Sequence, residues 1–308
     1  MRDLIINGMH GLGDNIHQRA LVRQLTRTNR VWLRTPWPCV YHDLAGPNLK
    51  LVQPVTRLRT QAKNAAREAQ KFTRERVPAA RTVQVSYQPQ AVRNEGSVLA
   101  ALLKSAGGEP RSADFRLPVP QAWHDRAAAW IARWNPQKPL LLFRPLHERS
   151  EWGGCPARNP DHAAYAELLE SIRDRYFVVS IADLEPQREW LVGPRVQGDV
   201  ECHAGELDFE TIAALTERAG LVFNTPGFMT VLAQAVGAPA VTVFGGYEDA
   251  ESFSAGAHYT AWLPIEPIQP CNCFSHGHAC DKRIDMPAAL AALQSFADET
   301  LNRQPLAA

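Results

Sequence analysis

The chain has 308 residues, of which 45% are hydrophobic and 21% charged, and 33 basic against 32 acidic residues leave a net charge of +1. So apolar and so nearly neutral a chain is not disordered, it holds no apolar run near the roughly 18 residues of a membrane span, and its length suits about two ordinary domains. Six cysteines, three scattered and three clustered, do not make the framework of a small secreted domain.

Met1 to Asn7 is too short and too acidic for a signal peptide, and Leu4-Ile5-Ile6-Asn7 reads as a strand. A glycine-bearing loop, Gly8 to Gly13, follows it. The stretch Asn15 to Thr28 then carries Ile16, Ala20, Leu21 and Leu25 at helical spacing. Arg30 to Arg34 alternates as a strand, and Leu49–Val52 and Thr82–Val85 are further strands around a basic helix from Thr60 to Glu75. A helix from Ser97 to Ala106 ends at Gly107-Gly108. Leu117-Pro118-Val119-Pro120 is held extended by its prolines, and a helix from Gln121 to Trp134 leads to a second proline-rich break at 135–139. The α/β rhythm then restarts: strand Leu140–Phe143, helix Asp161–Arg175, strand Tyr176–Ile181, and helix Asp208–Ala219 with Asp208 as N-cap. Strand Leu221–Asn224, helix Met229–Val236, strand Ala240–Phe244 and a last helix, Met286–Asn302, complete it. Alternating strands and helices build parallel sheets that bind ligands at the carboxyl ends of their strands. The loops after Asn7, Phe143, Ile181, Asn224 and Phe244 are therefore the places for a site. Trp123, Trp130 and Trp134, at near-helical spacing, are expected to pack between the domains.

Arginine dominates the basic residues, 27 against six lysines. Arg57, Arg59, Lys63, Arg67, Lys71, Arg74, Arg76, Arg81 and Arg93 cluster against only Glu68 and Glu75, which suits either a solvated helix face or an anionic partner.

Two motifs carry chemistry. In Gly11-Leu12-Gly13-Asp14-Asn15-Ile16-His17 the glycines let the backbone turn and approach a ligand, and Asp14 lies at a helix start, where free N–H groups stabilise a carboxylate. Asn224-Thr225-Pro226-Gly227-Phe228 turns from a strand into a helix N-terminus, a natural seat for a diphosphate.

The segment 199–246, especially Gly205-Glu206-Leu207, Ile212 to Leu215, Ala219 to Gly227, Leu232 to Pro239 and Thr242 to Gly245, resembles the donor-binding domain of the heptosyltransferases, GT-B enzymes of lipopolysaccharide core synthesis. Gly11 to Ile16 resembles the family's N-terminal Gly-Asp motif. The resemblance covers most of the chain and is clearest in its C-terminal half. It implies an α/β GT-B fold of two Rossmann-like domains facing a central cleft. Residues 1–135 would bind the acceptor and 136–308 the nucleotide-sugar donor, the last helix being a candidate to pack back on the first domain.

Carried onto this chain, the resemblance makes Asp14 the general base; Gly13, Asn15 and His17, beside it in the motif, are expected acceptor contacts. Asn224 stands where the family usually has an aspartate. Thr225 and Gly227 match the rest of the donor turn, Pro226 is an insertion, and Thr230 or Val231 falls where the family has a histidine. Arg144, Arg149 or Arg158 supplies a basic residue for the donor, His147 lies on the same loop, and Glu185 is near an acidic residue that contacts the nucleoside. Trp152 is an expected ligand contact.

A nucleotide-sugar brings its own leaving group, so the reaction needs a base for the acceptor hydroxyl and positive charge for the departing diphosphate. Arginine meets phosphate oxygens two at a time. The expectation is an inverting, metal-independent glycosyltransferase without cofactor. It moves a heptose-like sugar or hexose from an ADP-sugar to an anionic glycan or glycolipid such as lipopolysaccharide core, in the cytoplasm or at the inner face of the membrane. Two alternatives are transfer to modified bases of nucleic acid and a non-catalytic nucleotide- or metal-binding module. Cys271, Cys273, His276, His278 and Cys280 invite a zinc reading. Cys-x-Cys is tighter than the usual hairpin spacing and no second pair follows, so no metal is assigned.

Overall fold

The computed structural model of the chain describes residues 1–153 and 155–303, the side chains of Trp152 and Arg303 apart. Contacts divide it into two units between Pro118 and Val119. The first contains β1 (Arg2–Asn7), α1 (Leu12–Leu25), β2 (Asn29–Arg34), β3 (Leu49–Val52), α2 (Arg59–Arg67), β4 (Arg81–Gln84), α3 (Pro89–Glu95) and α4 (Val98–Ser105). Leu4 to Ile6 and Val31 to Leu33 are buried apolar runs, as parallel strands covered on both faces require. All pairings are parallel, in the order β3-β2-β1-β4. The chain winds outward from β1 to β3 and returns to the other flank of β1. That reversal opens a crevice at the carboxyl ends of β1 and β4, where such sheets bind ligands.

The second unit contains α5 (Gln121–Ile131), β5 (Leu140–Phe143), β6 (His147–Arg149), α6 (His162–Arg173), β7 (Phe177–Ile181), β8 (Glu189–Leu191), β9 (Val200–Cys202), α7 (Phe209–Arg218), β10 (Leu221–Asn224), α8 (Phe228–Val236), β11 (Ala240–Val243), α9 (Ala250–Phe253), β12 (Trp262–Ile265) and α10 (Met286–Arg303). Six strands form a parallel sheet in the order β12-β11-β10-β5-β7-β9, and β6 pairs antiparallel with β8. Here the winding reverses between β5 and β10, so the loops after Phe143 and Asn224 flank the crevice. Leu141, Phe143, Val178, Phe223 and Val241 of the sheet pack with Tyr165 and Ile172 of α6 and Leu293 of α10. Asp208 caps α7 as expected, accepting from Thr211 N–H at 2.8 Å.

Several expectations are revised. The division falls at Pro118 rather than residue 135, because α5 packs on α7, with Trp123 edge-on to Phe209 at 6.2 Å. Trp130 lies 4.4 Å from Trp134 with Arg133 over both rings, so these tryptophans pack within the second unit. Helix α10 lies on α6 of its own unit, with Leu293 and Ala297 fully buried there. The basic helix ends at Arg67, well short of Glu75. Among the described residues no helix is long and apolar enough to cross a membrane.

Candidate functional site

In the first unit Gly11, not Asp14, is the N-cap of α1, and Asp14 occupies the first turn of the helix. Its carboxylate folds back over Gly11, where a side chain would have no room: a Cβ would lie 2.4 Å from Asp14 Oδ2. Tyr87, just beyond β4, donates its hydroxyl to Asp14 Oδ1 at 3.0 Å. The crevice between β1 and β4 thus holds a half-buried carboxylate oriented by a phenol. Gly13 lies beside it in the same helical turn.

The neighbours of Asp14 do other work. Asn15 is fully buried; its Nδ2 donates to the carbonyls of Met9 and Gly11, both at 2.7 Å, and its Oδ1 accepts from Thr35 at 2.6 Å. Gln18 donates to Tyr41 at 2.8 Å and accepts from Met9 N–H at 3.0 Å. Together they clamp the glycine loop from below. His17 is a core residue rather than an acceptor contact, lying edge-on to Phe115 at 5.0 Å. Burial pushes its pKa down to about 3, so it is neutral. Arg19, fully buried, pairs with Asp43 at 2.8 Å and donates to the carbonyls of Phe115 and Arg116, tying α1 to the segment that leaves this unit.

In the second unit the turn after β10 is built around Gly227, whose φ of 146° is one that side chains rarely adopt. No described side chain caps α8, and a helix start without a side-chain cap favours an anion through its first N–H groups and the positive end of its dipole. Two arginines flank this corner. Arg144 lies with its guanidinium 5.2 Å from the Phe228 ring centroid and donates to Ile181 O at 3.1 Å; burial pulls its pKa down to about 10, and it stays cationic. A Cβ at Gly227 would sit 3.8 Å from Arg158 Nη2, and Arg158 is held by Glu248 at 2.8 Å. His147 is kept neutral by burial and by Arg144 and Arg149. Since arginine only donates, His147 Nε2 accepts from Arg144 (3.2 Å) and its Nδ1–H donates to Pro145 O (3.3 Å).

Other expected donor contacts are committed elsewhere. Asn224 is fully buried, donating to Val241 O at 3.1 Å and accepting from Thr230 Oγ1 at 2.6 Å. It braces the turn from within. Arg149 is locked to Glu189 at 2.9 Å, bridging β6 and β8. Glu185, on the loop after β7, is half-buried; its N–H donates to Glu189 at 2.9 Å, and Arg188 lies 3.5 Å from its carboxylate. The side chain of Trp152 falls outside the described residues.

Sequence reasoning does not reach Tyr87, nor the bond between Thr230 and Asn224. Tyr87 follows the strand flanking β1, and Thr230 is, with Val231, one of the two residues that fall where the family resemblance has a histidine. In the cysteine loop the Cys271, Cys273 and Cys280 sulfurs and one His278 ring nitrogen all lie within 4.8 Å of one another, while His276 instead packs against Tyr247 at 5.3 Å.

No protein-family model matches the chain, and no curated protein matches it in sequence. Solved structures do. The glycosyl transferase family 9 protein of Veillonella parvula superposes with a TM-score of 0.62 over 97% of both chains, at 13% identity. The ADP-heptose lipopolysaccharide heptosyltransferase II of E. coli gives 0.58 over 97% of this chain and 99% of its own, also at 13%. The fold is that of the heptosyltransferases. The iron-containing dodecameric glycosyltransferase TibC of enterotoxigenic E. coli matches at 0.61 over 98% of this chain and 75% of its own, at 14% identity. The heptosyltransferase fold accounts for both sheets and for their crevices, the GT-B pairing of two Rossmann-like units.

Proposed function

We propose that the protein is an inverting glycosyltransferase that moves a sugar from a nucleotide-sugar, in the first instance an ADP-sugar, to a hydroxyl of an anionic glycan or glycolipid. One observation carries this reading: within a heptosyltransferase fold, the crevice of the second sheet ends in an uncapped helix start flanked by Arg144 and Arg158. Backbone N–H groups and arginine are what a diphosphate binds. The ADP preference is taken from heptosyltransferase II, whose name specifies ADP-heptose.

The first unit contributes the base. Asp14, held by Tyr87, takes the proton of the acceptor hydroxyl as its oxygen bonds to the anomeric carbon. The bond from that carbon to the diphosphate breaks, and the diphosphate leaves with the electron pair. Its charge is met by the α8 N–H groups and the arginines, so the step is assigned no metal ion. Displacement from the opposite face inverts the anomeric centre. Arg57, Lys63, Arg67, Arg74, Arg76 and Arg81 are exposed on the first unit and support an anionic acceptor.

The test is a thermal-shift panel of ADP-, UDP-, GDP-, CMP- and dTDP-sugars, followed by assay of nucleoside diphosphate release. A donor at 100 times its Kd stabilises the folded state by about 2.7 kcal/mol. The reading expects the ADP-sugar to raise the melting temperature most and to be turned over with an acceptor. If no member of the panel shifts the melt or turns over, it fails. Transfer to DNA that weakens steeply with salt would move the acceptor assignment to nucleic acid.

A further inference from the structure

Between β12 and α10 the chain runs from residue 266 to 285 without helix or strand. Irregular segments of this length in a compact unit need something to order them. Within this one, His278 Nδ1 lies 3.4 Å from Cys271 Sγ and 3.2 Å from Cys280 Sγ, and Cys273 Sγ lies 3.6 Å from Cys280 Sγ. Around a tetrahedral ion with bonds of about 2.3 Å to sulfur and about 2.0–2.1 Å to nitrogen, simple geometry puts sulfurs about 3.8 Å apart and sulfur and nitrogen about 3.5 Å apart. The observed spacings match those edges.

We propose that Cys271, Cys273, His278 and Cys280 form a closed structural site for one tetrahedral, thiophilic divalent metal ion, zinc or iron(II).

The backbone is shaped for it. Asn272 and Phe274, on either side of Cys273, have φ of 48° and 51°, a strained conformation for a bulky residue that persists only where its surroundings enforce it. The turn at Asn272 folds the Cys-x-Cys pair so that its sulfurs can approach one another, whereas extended backbone would hold residues two apart about 6.5–7 Å from each other. The second ligand pair is His278-x-Cys280. Ser275 N–H points at Cys273 Sγ at 3.4 Å, the kind of outer-shell contact that steadies a ligating thiolate. The loop seats on Gly246, with φ of 106°, where a Cβ would lie 2.7 Å from the Cβ of Cys280. Phe274 N–H also bonds Tyr247 O at 2.9 Å. With three thiolates and one imidazole the tetrahedron is full, so the ion has no open position for chemistry. It orders the segment. Lys282, two residues past the last ligand, donates to the carbonyls of Pro156 and Asn159, both at 2.5 Å, and so reaches the loop that carries Arg158.

The experiment is elemental analysis of the full chain, purified under reducing conditions from medium containing zinc and iron. The expected result is about one zinc or iron per chain, the analysis itself telling the two apart. Replacement by cobalt(II) should give intense visible bands and a thiolate charge-transfer band, as tetrahedral S₃N coordination requires. Cys273→Ser should lose the metal, while Cys202→Ser, outside the cluster, should keep it. If Cys273→Ser does not fold, the cobalt spectrum of the wild-type protein still decides. Metal-free wild-type protein that gives no cobalt spectrum, or a Cys273–Cys280 disulfide in protein never exposed to oxidant, overturns the site. None of these readouts depends on glycosyl transfer.

Discussion

Gly11 lies directly under the Asp14 carboxylate, which makes Gly11→Ala an unusually clean perturbation. The added methyl would stand 2.4 Å from Asp14 Oδ2 and 3.3 Å from its Cγ. To regain ordinary contact the carboxylate has to retreat by about 1 Å, enough to break its bond to Tyr87, and displacement on that scale can cost about 10²-fold in rate. The backbone does not object: Gly11 has φ of −64° and ψ of 143°, which alanine adopts freely. Restricting the unfolded chain in this way usually adds about 0.4–1 kcal/mol of stability. The expected variant therefore melts at or slightly above the wild-type temperature, binds donor normally, and releases nucleoside diphosphate about 10²-fold more slowly at saturating substrates. Wild-type turnover by Gly11→Ala would refute the claim that the position of Asp14 matters. A large fall in melting temperature would refute the reading of Gly11 as a residue that only makes room.

Two further predictions concern stability. His17 titrates near 3 in the folded chain because burial disfavours its charge, so it contributes stability above its unfolded value near 6.5 that is lost as pH falls below it. The stability of wild type relative to His17→Phe, measured by urea unfolding, should drop by about 2 kcal/mol between pH 7 and pH 5; a pH-independent difference would contradict the assignment. Thr230→Val keeps the shape of the side chain but leaves the buried Asn224 Oδ1 without its donor, a loss of about 1–3 kcal/mol. It should lower the melting temperature and weaken donor binding by loosening the turn before α8, and an unchanged melt would count against it.

The architecture was legible where burial leaves a plain signature. Leu4 to Ile6, Leu140 to Phe143 and Leu221 to Phe223 are unbroken apolar runs, and Ala240 to Val243 is interrupted only by Thr242, because they are interior strands. The edge strands of the second sheet are not legible in this way. β9 is only Val200–Cys202, and β12 carries Pro264, which an edge tolerates and a sequence pattern argues against. At the site, Asp14 and the turn ending at Gly227 could be placed because each follows an apolar strand at a switch point. Their partners could not: Tyr87 lies 73 residues from Asp14 along the chain, and nothing local announces it. Asn15 and His17 were misassigned because polar residues beside a motif look available. From Asn15 to Val22 α1 is buried on every side, so the periodicity of Ile16, Ala20, Leu21 and Leu25 gives no sign that the polar residues between them are buried too. In the cysteine loop the spacing rule assumes ordinary backbone, and the left-handed turns at Asn272 and Phe274 are not visible in the sequence.

The central claim is that one carboxylate on the first unit drives a transfer whose leaving group is held by the second. Asp14→Asn tests it most directly, since the amide preserves size but cannot take a proton. The account predicts that this variant binds the nucleotide-sugar with wild-type affinity and melts normally, while transfer falls by about 10²–10⁴-fold, the usual worth of a general base. Undiminished transfer by Asp14→Asn would contradict it.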